Sequence, residues 1–345
     1  MRLLIVAPNW IGDAVMSLSL IQALHADEAL RQAGGQPCEI HVLAPSVTAP
    51  VYQFSHAVHT VQAEPFAHGQ LQWGLRKQVG RALAARGYDT AIVLPNSLKS
   101  ALVPWFARIA RRVGYDGELR SLVLNQALPK PRKNNKPPMI EWYGRLGGYS
   151  PGQLAWPRLQ VSPGTTQAVC GDFVLKPGFL AVAPGAEYGP AKRWPTAHFA
   201  AVVQTFLSSN PTQAAALLGG PKDVAVCEDI ASQLEPALRS RVRVLAGKTS
   251  LPQAIALMAG ASQLLTNDSG LMHVAAALSV PVHAVFGSSS PEHTPPLNEQ
   301  ARVYSLKLAC SPCFQRECPL GHMDCLNTLK PELVSVHLRN PDGGV

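Results

Sequence analysis

The stretch from residue 263 to 286 constrains the fold more than any other part of the chain. Gln263-Leu264-Leu265-Thr266 is a short apolar run suited to a buried strand, and Asn267-Asp268-Ser269-Gly270 breaks it with small polar residues. Leu271 to Leu278 then has the composition of a buried helix, and Val282-His283-Ala284-Val285-Phe286, after Pro281, reads as the next strand. Strand, turn, helix, strand is a βαβ unit. Its turn lies at the carboxyl end of a strand, where open α/β sheets bind their ligands. A helix beginning there points unpaired backbone N–H groups at Asp268-Ser269-Gly270, which makes the turn a place for a phosphate.

The same alternation runs through the rest of the chain. Residues 3–7 are a buried strand, Pro8 to Asp13 breaks it, and a helical pattern follows from Ala14 to Leu24. Gly12-Asp13 is therefore expected in the loop after the first strand, with Asp13 either capping the helix or available for chemistry. Strands are expected at 39–44 and 89–94. Between them, Leu71, Leu75, Val79 and Leu83 mark a helix over 70–86 that Gly87 ends, and a further helix follows Pro95-Asn96-Ser97 to about residue 109. Periodicity weakens from 108 to 145, where Arg108, Arg111, Arg112, Arg120, Lys130, Arg132, Lys133, Lys136 and Arg145 crowd together, and residues 130–138 read as a loop. Pro and Gly are frequent over 150–178, which places a boundary between a first domain at 1–175 and a second at 176–345. Strands then recur at 179–183, 214–218 and 242–245, with helices after Trp194-Pro195, over 223–234, and after Ser250-Leu251-Pro252 with Ser250 as the cap. The expected class is α/β, with two Rossmann-like doubly wound domains.

Composition narrows the function. With 47% apolar and 15% charged residues the chain belongs with folded proteins. It has no span of about 18 uninterrupted apolar residues, and its N-terminal apolar run, stopped by Pro8, is too short for a signal peptide. The expected location is the cytoplasm. Residues 1–170 carry 17 Lys and Arg against 9 Asp and Glu, whereas residues 171–345 carry 13 of each. A first half of that charge is either a basic soluble surface or one that meets an anionic partner. No G-x-G-x-x-G follows a strand, no G-x-x-x-x-G-K-[ST] occurs, and no Asp-x-Asp pair is present. Hydride transfer and P-loop chemistry are disfavoured.

Two loops at strand ends can carry anion chemistry. One is Asp268-Ser269-Gly270. The other runs from Ala183-Pro184-Gly185 through Lys192-Arg193-Trp194-Pro195, with glycines for close approach and a Lys-Arg pair before a helix. His273 falls one turn after Ser269 on the same helix face, as either a satisfied core group or a ligand contact. Trp10 and Trp194 are either packing residues or walls of a cleft.

Four ordered stretches carry a resemblance: Asn9-Trp10-Ile11-Gly12-Asp13; Pro184-Gly185-Ala186 through Lys192-Arg193-Trp194-Pro195; Asn267 through His273; and Phe286-Gly287-Ser288-Ser289-Ser290-Pro291 with Thr294-Pro295-Pro296-Leu297. Together, over nearly the whole chain, they resemble the ADP-heptose:lipopolysaccharide heptosyltransferases. The resemblance implies a GT-B fold, its two domains facing across a cleft, with the acceptor on the first and the nucleotide sugar on the second. It implies inverting transfer of L-glycero-D-manno-heptose from ADP-heptose to the first heptose of the lipopolysaccharide inner core, without a metal or other cofactor. Action at another inner-core position is the alternative within the family. By the same resemblance Asp13 is the general base, Lys192 holds the diphosphate, and Gly185, Asp268, Ser269, Gly270 and His273 line the donor. Asn9, Trp10, Gly12 and Arg120 are placed with the acceptor, and the basic first half with the anionic inner core at the cytoplasmic face of the inner membrane.

A non-catalytic nucleotide-sugar or RNA-binding protein is the reading from another class. It lacks the interleaving of aromatic and basic residues that single-stranded RNA requires, and nucleic acid is not an expected partner. Three of the seven cysteines, Cys38, Cys170 and Cys227, are scattered. Cys310-x2-Cys313-x4-Cys318-x6-Cys325, with His322 inside, has ligands enough for zinc but not the spacing of two regular knuckles, so plain thiols, a disulfide and a zinc site all remain open.

Overall fold

A computed structural model describes residues 1–27, 38–67, 69–131 and 137–338. The chain forms two compact units, Met1–Gln160 and Val161–Val345.

The first unit runs β1 (Arg2–Val6), α1 (Ile11–Ala26), β2 (Glu39–Pro45), α2 (Ala49–Gln53), β3 (Thr60–Glu64), α3 (Trp73–Ala84), β4 (Thr90–Val93), α4 (Leu98–Phe106), β5 (Arg111–Tyr115), β6 (Gln126–Leu128) and α5 (Met139–Leu146). Its strands make one parallel sheet in the order β3-β2-β1-β4-β5-β6, with Ile5 between Val42 on one side and Ile92 on the other. The central strands are buried because they are apolar on both faces, as helices covering both sides of a parallel sheet require.

The second unit runs α6 (Pro163–Asp172), β7 (Leu180–Ala183), α7 (Thr196–Ser209), β8 (Ala215–Leu217), α8 (Val224–Ser232), α9 (Pro236–Arg239), β9 (Val242–Val244), α10 (Leu251–Ala259), β10 (Gln263–Asn267), α11 (Gly270–Ala277), β11 (Val282–Val285), β12 (Arg302–Tyr304), α12 (Asp324–Asn327) and α13 (Glu332–Ser335). Its sheet is parallel too, in the order β12-β11-β10-β7-β8-β9. Leu265 pairs with Val182 and His283 on either side. Read from its own first strand, this is the same winding as in the first unit. Each sheet reverses direction beside that first strand, between β1 and β4 in one unit and between β7 and β10 in the other. The carboxyl ends of those strands are the natural ligand sites.

Local chemistry explains the element ends. Ser250 caps α10: its Oγ accepts from the Gln253 N–H while its own N–H donates to Gln253 Oε1 at 2.9 Å. Gly87, with φ +66°, follows α3 as a left-handed stop.

The structure departs from expectation in three places. α1 begins at Ile11, with Trp10 in extended backbone before it, so Gly12-Asp13 sit in the first helical turn and Asp13 is not the cap. The weakly periodic region 108–145 contains β5, β6 and α5. β5 has an exposed first residue and β6 is a short, mostly exposed edge, which is why no apolar run announces them. Arg132, Lys133 and Lys136 of the expected loop lie outside the described residues. Residues 161–175, placed by composition before the boundary, contain α6, which packs on α10 in the second unit.

Candidate functional site

The loops leaving β7 and β10 emerge side by side at the switch point of the second sheet, and Asn267 ties them together. Its Nδ2 donates to the Pro184 carbonyl at 2.6 Å, and its Oδ1 accepts from the Trp194 N–H at 3.1 Å. One buried amide thus fixes both ends of the loop carrying Lys192. Nothing in the sequence marks Asn267 for this task, because its partners lie more than 70 residues away. Trp194 is a core residue, 2% exposed, whose Nε1 donates to the Leu329 carbonyl. Packing is its role.

On this frame Lys192 Nζ lies 2.5 Å from Asp268 Oδ2, with side-chain exposures of 17% and 6%. The ammonium also stands over the Tyr188 ring at 5.1 Å. Ser269 caps α11: its Oγ accepts from the Met272 N–H at 3.4 Å and lies 3.1 Å from Thr266 Oγ1, which in turn reaches the Ala183 carbonyl. Helix geometry leaves the first-turn amides of Gly270 and Leu271 without intrahelical partners. Ser269 and Gly270 are partly exposed, so this end of the helix is accessible. A cation beside accessible amides at a helix N-terminus offsets anionic charge from two directions.

Gly185 is buried, and a Cβ on it would lie 2.4 Å from the Asp223 carboxyl group. Asp223 also accepts from the Gly220 N–H at 2.9 Å, so the missing side chain at 185 makes room for this carboxylate. His273 is 5% exposed, and burial depresses its pKa to about 4, with Asp268 acting against that shift and Lys192 with it. At neutral pH it is an uncharged imidazole that can exchange hydrogen bonds but supplies no positive charge. After β11, the buried Ser288 and Ser289 hydroxyls have no hydrogen-bond partner among the described residues.

The Lys192 loop also leans on residues 310–325. Ala191 N–H donates to the Arg316 carbonyl at 3.1 Å, Tyr188 OH donates to the Phe314 carbonyl at 2.8 Å, and Arg316 lies over the Tyr188 ring. Cys310, Cys313, Cys318 and Cys325 are free, partly exposed thiols in that segment. Among the described residues no three His, Cys, Asp or Glu side chains are gathered in ligating positions.

In the first unit, Asn9 and Trp10 are exposed and Gly12 and Asp13 partly exposed, following β1 at its switch point. Trp10 is 42% exposed, so it is no core residue. The first turn of α1, closed by Ala14 N–H to the Trp10 carbonyl at 2.9 Å, sets Asp13 at the positive end of a 16-residue helix. Behind it lie Tyr52 and Tyr143. Burial, and secondarily the charge of Asp13, push both phenols up, so they stay protonated. Ser17, one turn along, shares a 3.0 Å hydrogen bond with the Tyr52 hydroxyl. Beside this turn, Asn9 joins Arg76 and Lys99 around a small cavity at the ends of β1, β2 and β4.

The basic residues divide. Arg108, Arg111, Lys130 and Arg145 are exposed, while Arg112 is held by the Val123 carbonyl at 2.7 Å. Arg120 has no exposed surface: one nitrogen donates to the Tyr115 carbonyl at 2.8 Å, and burial lowers its pKa to about 10. It stands apart from the surface cations with which the sequence had grouped it.

Residues 76–324 match the family described as Glycosyltransferase family 9 (heptosyltransferase). The chain is 38% identical to Lipopolysaccharide heptosyltransferase 2 of Salmonella typhimurium, over 99% of this chain and 98% of that protein. It is 37% identical to the protein of the same name from Escherichia coli, over 97% and 96%. Among solved structures, E. coli ADP-heptose lps heptosyltransferase II superposes with a TM-score of 0.84 at 36% identity, covering 98% of this chain and 97% of that one. A family 9 glycosyl transferase from Veillonella parvula, 20% identical, shares the fold with a TM-score of 0.73 over 88% and 85%.

Proposed function

We propose a task for each group of this site from one premise: the chain belongs to glycosyltransferase family 9, the heptosyltransferases. Its reaction is transfer of L-glycero-D-manno-heptose from ADP-heptose to the first heptose of the lipopolysaccharide inner core. Similarity at 37–38% identity over nearly the full length of two proteins named lipopolysaccharide heptosyltransferase 2 supports that choice of donor and acceptor over another inner-core position.

The acceptor hydroxyl oxygen attacks the anomeric carbon, the bond from that carbon to the diphosphate oxygen breaks, ADP departs, and the configuration inverts. The hydroxyl proton goes to Asp13 as the C–O bond forms. Asp13 suits this task because the end of α1 favours negative charge. Asn9, Trp10 and Gly12, in the same turn, border the acceptor.

Charge accumulating on the leaving diphosphate falls to Lys192 and the amides at the N-terminus of α11, where Ser269 and Gly270 are partly exposed. The observation that carries the reading is Lys192 held 2.5 Å from Asp268 beside the N-terminus of α11. Asp268, itself anionic, is better suited to accepting hydrogen bonds from heptose hydroxyls than to touching phosphate. Neutral His273 steadies the helix beneath them, and Gly185 lets the Lys192 loop pass close to Asp223. The exposed cations of the first unit draw the anionic inner core, and the protein works peripherally at the cytoplasmic face of the inner membrane. Among the described residues no helix is long and apolar enough to cross a membrane.

The test is turnover of ADP-heptose with lipopolysaccharide truncated before and after the first heptose. Only the acceptor carrying that heptose should react, and Asp13→Asn should lower kcat by about 10²- to 10⁴-fold with little change in donor KM. Added salt should raise the acceptor KM and spare the donor's. Near-wild-type turnover by Asp13→Asn would assign that carboxylate to the helix alone.

A further inference from the structure

The cysteines of residues 310–325 are absorbed by none of this chemistry. All four line one small cavity, of about 20 Å³, which Ala191 and Ser288 also border. That is room for a single centre of atomic size. Cys325 lies within electrostatic reach of Cys310, Cys313 and Cys318 alike, so the thiols converge on the cavity although Cys310 and Cys325 are fifteen residues apart in sequence. Around Cys318 the chain turns sharply, with Gly321 at φ +75° and Met323 at φ +55°. The Gly321 N–H closes this turn by donating to the Cys318 carbonyl at 3.1 Å. His322 also borders the cavity, but its Nδ1 accepts from the Asp324 N–H at 2.9 Å and lies 3.2 Å from the Asp324 carboxylate, so it is engaged locally. The donor set is four sulfurs.

From this geometry we propose that Cys310, Cys313, Cys318 and Cys325 form a tetrathiolate site for one zinc or iron ion, which fastens residues 310–325 beneath the loop bearing Lys192. Four thiolates in a tetrahedral set select those two metals over the hard cations magnesium and calcium. Each thiol gives its proton to solvent as it binds. Among the described residues no three ligand side chains already stand at a common ligating point, so the ion draws the sulfurs inward over the cavity they share. The consequence for catalysis is indirect. Phe314 and Arg316, between the second and third cysteines, supply the carbonyls that hold Tyr188 and Ala191, and Gly189 packs against the Arg316 backbone. An ion that fixes this segment positions the Lys192 loop without touching substrate. The metal site stands independently of the donor chemistry, and its effect on the Lys192 loop rests on it.

The test is elemental analysis of the full chain, purified without chelators from medium containing both metals. About one zinc or iron per chain is expected, and visible thiolate-to-iron absorption separates iron from colourless zinc. Stripping the ion with a mercurial and a chelator, followed by removal of the mercurial, should expose four additional thiols to a disulfide reagent, and re-adding the metal should protect them. Cys318→Ser and Cys325→Ser should each lose the ion. Donor KM should rise several-fold in stripped protein and return with the metal, whereas Lys192→Met should lose turnover with its metal still bound. Less than a tenth of an ion per chain even after zinc addition, with the cluster thiols reactive throughout, overturns the proposal. So does full metal content in a variant lacking all four cysteines. Both measurements on the wild-type chain decide the matter even where a variant fails to fold.

Discussion

Lys192 and Asp268 place opposite charges 2.5 Å apart where both are largely shielded from water, at 17% and 6% side-chain exposure. The pair holds the ammonium in place before any diphosphate arrives, and each charge depends on the other. Removing one partner of a shielded pair leaves the other uncompensated and costs on the order of 3–5 kcal/mol, whereas removing both charges can be nearly neutral. Lys192→Met should therefore lower the thermal midpoint clearly and abolish turnover. Adding Asp268→Asn should recover most of the stability and none of the activity. Thermal unfolding and turnover of the two single variants and the double variant give both coupling energies. A Lys192→Met protein as stable as wild type would mean that the pair is not coupled in the folded chain. Lys192, Asp268 and Ser269 were legible as candidates because residue type and position at strand ends announce anion chemistry. The clamp by Asn267 was not, since its partners Pro184 and Trp194 are distant in sequence. Nor was the burial of Arg120, which sequence counts as one more surface cation.

Elements whose sequence alone implies burial were readable, and those defined by their neighbours were not. β1, β4, β7, β10 and β11 are apolar runs and are almost wholly buried. β3, β6 and β12 are sheet-edge strands with mostly exposed or half-exposed residues, so no apolar run marks them. α6 hides in a Gly- and Pro-rich stretch whose one local signal is Ser162, which caps it through the Thr165 N–H. The contact between the Lys192 loop and residues 310–325 has no sequence signature at all. It leads to a prediction about Gly189, where an added Cβ would lie 2.5 Å from the Arg316 carbonyl oxygen. Backbone cannot yield as a side-chain tip can. Gly189→Ala should push the two segments apart, lower stability by about 1–3 kcal/mol and raise donor KM by about tenfold. Gly164→Ala, in α6 with nothing within 4 Å of its added Cβ, should change neither. Donor KM equal to wild type in Gly189→Ala would show that residues 310–325 do not set the position of Lys192.

Over the whole molecule, response to acid follows from where its histidines are buried. His273 and His283 both lie in the second unit, 5% and 3% exposed, and burial holds each pKa at about 4. Asp268 opposes that shift at His273 and Lys192 adds to it, while His337 and Arg302 reinforce it at His283. His283 is held neutral between the Tyr304 hydroxyl at 2.9 Å and Gln263 Oε1 at 3.1 Å. In the unfolded chain both side chains titrate near pH 6.5. Below that value the unfolded state binds protons that the folded state refuses, so stability falls as pH drops, and the loss is complete near pH 4. Each site contributes on the order of a few kcal/mol over that window. Unperturbed carboxylates titrate at about 4, so they enter only at its lower end. The thermal midpoint should therefore hold level above about pH 6.5 and begin to fall below it. His273→Gln with His283→Gln should have a lower midpoint at pH 7.5 but a flatter profile between 6.5 and 5, because neither glutamine titrates. Thermal unfolding across that range compares the two proteins. Parallel profiles would place the acid sensitivity in other groups, whereas converging profiles locate it in these two imidazoles, one behind the Lys192–Asp268 pair and one between β10 and β12.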